Sequence, residues 1–165
     1  MAMIANGGKA RIIEYACSET TVGFVMEKVL PLARRHLNLL DPGDAPGAPG
    51  AYGVLGASMG GLMSLYTALR VPQVFGHVIS QSGAFASDEH EWVTTELVRH
   101  APTRPIKIWM DAGKFEWLSG ANQNMQALLR DKGYDVTYRQ FSGGHNYPAW
   151  RDDVWRGLET VLGKA

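Results

Sequence analysis

At 165 residues, 45% of them hydrophobic and with five tryptophans, the chain is long enough to bury one sizeable core and too apolar to stay disordered. Sixteen Lys and Arg balance 16 Asp and Glu without a long run of either sign, which gives no electrostatic reason to expect nucleic acid or an anionic membrane as partner. The one cysteine, Cys17, excludes an internal disulfide and a multi-cysteine metal site, and reads as a small apolar filler.

The opening, MAMIANGGKARIIEY, lacks the charged-then-apolar layout of a signal peptide. No apolar stretch is long enough to cross a bilayer. Residues 1–9 are expected to be a disordered start to a single domain spanning 1–165. Over 20–37, Val22, Val25, Met26, Val29, Leu30, Ala33 and Leu37 recur on one helical face. Thr20 or Thr21 is expected to cap this helix, and Pro31, lacking an N–H, to kink or split it. A Pro/Gly-rich loop follows at 41–51.

From there strands and helices alternate. Strands are expected at 51–56, 77–83, 105–113 and 135–141, and helices at 60–71, 89–100, 117–132 and 148–162. Gly133 closes the third of these helices, and Pro148 opens the last near its first position. Four β–α units in a row give an α/β fold with a parallel sheet of about four strands, helices on its faces and an additional N-terminal helix.

The first β–α junction carries Gly56-Ala57-Ser58-Met59-Gly60, a G-x-S-x-G string. The string alone is weak, but a strand before it and a helix after it are the context of a nucleophile elbow. The serine backbone is strained in so tight a turn; side chains at 56 and 60 are expected to collide with the strand and helix, and Gly61 and the small Ser64 are expected to let the helix lie close. Such a turn lifts the Ser58 hydroxyl to the carboxyl end of the sheet, where open α/β sheets bind ligands. It also leaves the Met59 N–H at a helix N-terminus, suited to hold an oxyanion.

A serine needs a base. Of five histidines, His36, His77, His90 and His100 fall on helix ends or at the start of a strand. His145, in FSGGHNYP, follows the last strand and so shares the sheet edge of Ser58. An acid is expected between serine and histidine in the chain. Asp111 closes a strand and Glu116 opens the next helix; each suits the imidazole, and each is also an ordinary turn or first-turn acid. Trp117 and Trp150 flank these residues and are candidate substrate walls, although core packing explains Trp150 equally well. Gln81 and Ser82, at a strand's carboxyl end, are candidate pocket residues. No His, Asp or Glu cluster has metal-ligand spacing, so no cofactor is expected.

Taken together, RIIEY, GASMGGLMSLYTALRVPQVFGHVISQSGAF and DAGKFEWLSGANQNMQALLRDKGYDVTYRQFSGGHNYPAW, spread over about residues 10–163, resemble the esterase family of α/β-hydrolases. That family includes enterochelin-esterase-like, feruloyl-esterase-like and esterase D-like enzymes. The resemblance implies Ser58 as nucleophile and His145 as base. It favours Glu116 as the acid, because the family's acid sits in a G-x-x-(E/D) element opening this helix.

The resemblance also implies a three-layer αβα sandwich of which this chain holds the C-terminal portion. In the family, several strands and an oxyanion loop precede the R-x-x-E-Y element, which here begins at Arg11. Two expectations follow. The strand before Ser58 is an exposed apolar edge, so a homo-oligomer is expected to cover it. One of two oxyanion donors is missing, and losing one costs on the order of 10²–10³ in kcat. The implied activity is hydrolysis of small acyl esters through an acyl-enzyme. The alternatives are acyl transfer by the same residues and a non-catalytic or assembly-dependent hydrolase fragment.

Overall fold

A computed structural model describes residues 2–5, 7–40, 50–85 and 88–163, with backbone alone for 88–92. Most of the expected 41–51 loop, and Met1 and Asn6 of the expected disordered start, lie outside the described residues.

The N-terminal part is helical. A single 3-10 turn, Gly8–Ala10, leads into α1 (Arg11–Tyr15), then α2 (Glu19–Phe24), a π-helical stretch Val25–Val29, and α3 (Leu30–His36). The break expected at Pro31 is a change of hydrogen-bond register, not a separation. Leu30 donates its N–H to the Val25 carbonyl five residues back, just before the proline removes a donor. The cap is Ser18, not a threonine. Its Oγ accepts from the Thr21 N–H at 3.2 Å, while the Thr21 hydroxyl donates to the Glu14 carbonyl.

The β–α alternation follows as β1 (Tyr52–Ala57), α4 (Met59–Arg70), β2 (Phe75–Gln81), α5 (Asp88–His100), β3 (Lys107–Gly113), α6 (Ser119–Asp131), β4 (Asp135–Phe141) and α7 (Tyr147–Leu162). Every boundary lies within about two residues of the expected one. α6 starts at Ser119 because Glu116, Trp117 and Leu118 form a turn, with the Ser119 N–H donating to the Glu116 carbonyl at 3.2 Å. All strand pairs are parallel, in the order β1-β2-β3-β4.

Alternation along the strands builds two cores. Val78, Ile108, Met110 and Val136 face a large core with Leu62 and Leu65 of α4, Val98 of α5 and Leu129 of α6. Val22, Met63 and Tyr66 extend it toward the N-terminal helices. On the other face, Ile79 and Trp109 pack under Val161 of α7. Leu55 shares that second face, being in register with Ile79, but α7 packs mainly over β2 and β3 and leaves Leu55 42% exposed. β1 is thus an edge strand with a bare apolar side. Among the described residues, no helix is long and apolar enough to cross a membrane.

Candidate active site

The candidate residues sit where the strands end. β1 stops at Ala57 and α4 starts at Met59, so Ser58 makes the whole turn, at φ 57° and ψ −123°. An L-residue adopts this conformation at a cost of about 1–3 kcal/mol, and only where its surroundings impose it. Here the Ser58 N–H donates to the Gln81 carbonyl at 2.8 Å, and the Ser58 carbonyl accepts from Gly61, Leu62 and Ala84 at 2.9, 3.2 and 3.0 Å. The Ser58 hydroxyl hydrogen-bonds to nothing among the described residues. Met59 contributes one of the N–H groups that a helix start leaves without an intrahelical acceptor.

Of the expected close approaches, those at Gly56 and Gly61 are found and that at Gly60 is not. A Cβ at Gly56 would lie 2.3 Å from the Gly60 carbonyl oxygen, and one at Gly61 would lie 2.7 Å from Ser80 Oγ. A Cβ at Gly60 meets nothing within 4 Å, because Gly60 opens onto the groove beside β1. Gly56 and Gly61 let α4 start so close to the sheet, and Gly60 is not needed for it.

The exits of β3 and β4 run side by side. Lys114 donates its N–H to the Phe141 carbonyl at 2.9 Å, and Phe115 donates to Gly143 at 3.0 Å. A Cβ at Gly113 would lie 2.3 Å from the Gly143 oxygen, so this approach requires glycine. The pairing of the two loops brings Glu116 Oε2 to 3.2 Å from His145 Nδ1. The Glu116 side chain is fully buried and that of His145 is 12% exposed. Glu116 Oε1 has no hydrogen-bond partner among the described residues. The imidazole lies between two indoles, Trp117 at 4.5 Å and tilted 43°, and Trp150 edge-on at 4.8 Å.

Of the two acids left open by spacing, Glu116 is the one in hydrogen-bond reach of His145. Asp111 lies within β3, fully buried, with Oδ2 accepting from Gln81 Nε2 at 3.3 Å and Oδ1 unpartnered among the described residues. Burial pushes its carboxyl up to about 7, against the opposing pull of the Gln81 hydrogen bond.

Gln81 and Ser82 are held by hydrogen bonds at the end of β2. Both are buried, the Gln81 amide is occupied by Asp111 and by the Trp150 carbonyl at 3.0 Å, and Ser82 Oγ accepts from the Trp150 indole at 2.9 Å. Trp150 is a half-buried residue of α7 with its N–H satisfied, while Trp117 is 75% exposed. Of the other histidines, His36 and His100 are exposed, His100 pairing with Glu96, and His77 lies inside β2. The His90 side chain lies outside the description.

One buried polar residue has no counterpart in the sequence expectations. Asn122 of α6 is fully buried; it accepts from the Gly83 N–H at 3.1 Å and donates to the Gly83 and Leu118 carbonyls at 2.9 Å. It clamps the segment after β2 whose Ala84 N–H holds the Ser58 carbonyl. The available signal was an amide centred on an apolar helical stripe of Leu118, Met125 and Leu129.

A groove of about 870 Å³ opens among the N-terminal helices, and one of about 560 Å³ runs beside β1. Neither is lined by Ser58, Glu116 or His145. Among the described residues no three His, Cys, Asp or Glu side chains form a metal-binding group.

Comparison with known proteins bears on what this arrangement is. Residues 6–160 match the family described as "Putative esterase". The iron(III) enterobactin esterase of Dickeya dadantii (strain 3937) is 30% identical over 174 residues, 96% of this chain and 39% of that protein. That of Escherichia coli (strain K12) is 30% identical over 155 residues, 90% of this chain and 37% of that protein. The crystal structure of the Shigella flexneri enterobactin esterase in the presence of 2,3-di-hydroxy-N-benzoyl-glycine matches with a TM-score of 0.82 at 28% identity. It covers 93% of this chain and 41% of that one. The chain spans about two fifths of the length of these relatives. Its four parallel strands with flanking helices match part of the esterase α/β-hydrolase structures. A family match over nearly the whole sequence, with a fold that superposes on part of an esterase structure at a TM-score of 0.82, leads to one conclusion: the chain belongs to this esterase family.

Proposed function

We propose that the chain is a serine carboxylesterase acting on small acyl esters through an acyl-enzyme, with Ser58 as nucleophile, His145 as general base and Glu116 as the acid that orients it. The observation that carries this reading is the 3.2 Å Glu116–His145 hydrogen bond at the sheet end where the strained Ser58 keeps an unengaged hydroxyl. With Glu116 accepting at Nδ1–H, the imidazole keeps Nε2 as its basic nitrogen.

Ser58 Oγ attacks the ester carbonyl carbon while its proton passes to His145 Nε2. The imidazolium then faces the Glu116 carboxylate, whose burial strengthens that interaction. The Met59 N–H donates to the oxyanion. As the acyl–oxygen bond to the alcohol breaks, His145 returns the proton to the leaving oxygen. Water then gives a proton to His145 as it attacks the acyl carbon; the acyl–Oγ bond breaks, His145 returns that proton to Ser58 Oγ, and the acid leaves. The exposed ring of Trp117, tilted against His145, forms a wall for the acyl or alcohol group. The relatives named as enterobactin esterases make an ester of that kind a candidate substrate.

The test is hydrolysis of short p-nitrophenyl esters. Ser58→Ala is expected to abolish it, and unchanged turnover in that variant contradicts the mechanism. A second proposal concerns assembly. β1 is hydrogen-bonded on one side and carries exposed Leu55, so it is expected to pair with another copy of the chain. Light scattering at micromolar concentration tests this, and a strictly monomeric species refutes it.

A further inference from the structure

Ser58 and His145 follow opposite edge strands of the sheet. Neighbouring strands lie about 4.8 Å apart, so strand pairing alone leaves the two residues some three strand spacings apart. The loop after β4 must carry the histidine back across β3 and β2, and something must stop it in register.

The contacts that do so converge on the end of β2. The Trp150 indole N–H donates to Ser82 Oγ at 2.9 Å, and the Trp150 carbonyl accepts from Gln81 Nε2 at 3.0 Å. The Trp150 ring meets the imidazole at 4.8 Å and 88°, edge to face. Gln81 also holds the Ser58 N–H with its own carbonyl at 2.8 Å. One residue therefore fixes the serine through its backbone and the first turn of α7, just after His145, through its side chain.

The anchor is itself rigid. Ser82 is fully buried at φ 47°, with its N–H donating to the Asp111 carbonyl at 2.8 Å, and the Gln81 amide also donates to Asp111 Oδ2. A buried, strained, non-glycine residue that spends its hydroxyl on a tryptophan N–H is the kind of over-determined geometry found at functional sites.

We propose that Trp150, latched onto Gln81 and Ser82, is a positioning residue that sets His145 in register with Ser58; this rests on the reading of that pair as base and nucleophile. The Glu116 bond fixes Nδ1, and Trp150, at 88° to the imidazole, fixes the plane of the ring. This role separates Trp150 from Trp117, which touches the same imidazole but is exposed.

Ser82→Ala and Trp150→Phe each remove one half of the indole hydrogen bond, and the second keeps an aromatic ring against His145. Both singles and the double are assayed for kcat and KM on p-nitrophenyl acetate. In parallel, the rate at which diethyl pyrocarbonate modifies His145 is followed by peptide mass spectrometry, with thermal melts to confirm folding. Each single is expected to lower kcat by about 10–100-fold with KM changed by less than about threefold, as for a misplaced base. The double is expected to be no worse than the singles, because they share one interaction. His145, now released, is expected to react several-fold faster in every variant. Folded variants with wild-type kcat and wild-type modification rates, or a double whose loss is the product of the singles, overturn the proposal. Should the wild-type chain show no Ser58-dependent hydrolysis, the esterase reading fails by itself. The His145 modification rates then still decide the latch.

Discussion

Replacing Asp111 by asparagine is expected to stabilise the protein at alkaline pH. Asp111 is fully buried in β3, one carboxylate oxygen has no partner among the described residues, and burial lifts its pKa from an ordinary 3.8 to about 7. The sign follows from proton counting. Between about 4 and 7 the folded state binds the Asp111 proton more tightly than the unfolded chain does, so stability falls as pH rises through this window and levels off above it. At about 1.36 kcal/mol per tenfold, the gap amounts to roughly 4 kcal/mol at full ionisation, of which roughly 3 kcal/mol develops between pH 5 and pH 8. Asp111→Asn keeps the size and an acceptor for Gln81 Nε2 while removing the charge. Urea unfolding followed by tryptophan fluorescence at pH 5 and pH 8 measures the difference. The variant's advantage should grow by roughly 3 kcal/mol, a midpoint shift of about 1–2 M urea. An equal pH dependence in the two proteins refutes the reasoning.

Ser58→Gly should raise stability by about 1 kcal/mol, because glycine adopts the turn without strain, while eliminating ester hydrolysis; thermal melts and p-nitrophenyl ester turnover check the two halves. Glu116→Gln leaves the size of the residue nearly intact but lets an amide face Nδ1, favouring the wrong tautomer, so kcat should fall by about 10²–10⁴-fold in steady-state assays. Gly61→Ala drives a Cβ to within 2.7 Å of Ser80 Oγ and 3.0 Å of Gly83 Cα, so chemical denaturation should register a loss of about 1–3 kcal/mol.

The alternation of β–α units was legible because each strand and helix carries its own period and its own stop. β4 coincides with the expected 135–141, bounded by Gly133 before it and the Ser142-Gly143-Gly144 turn after it. The Ser58 turn was legible through its flanking glycines, although which of them meets an obstacle depends on α4 and β2 packing, as Gly60 illustrates. Spacing did not separate Asp111 from Glu116. Their difference arises from the side-by-side exits of β3 and β4, and the Lys114–Phe141 and Phe115–Gly143 hydrogen bonds are invisible to a reading along one strand at a time. Gln81 looked like a pocket residue because it ends a strand. It is buried because the start of α7 folds back onto it, a long-range contact with no local signature.

The central claim is that Ser58 is a nucleophile activated by the Glu116–His145 pair. Incubation of the purified chain with a fluorophosphonate probe, followed by peptide mass spectrometry, tests it most directly. The account predicts a single adduct on Ser58, formed much more slowly in a His145→Ala variant and absent in Ser58→Ala. No adduct on Ser58, or labelling at the same rate without His145, contradicts it.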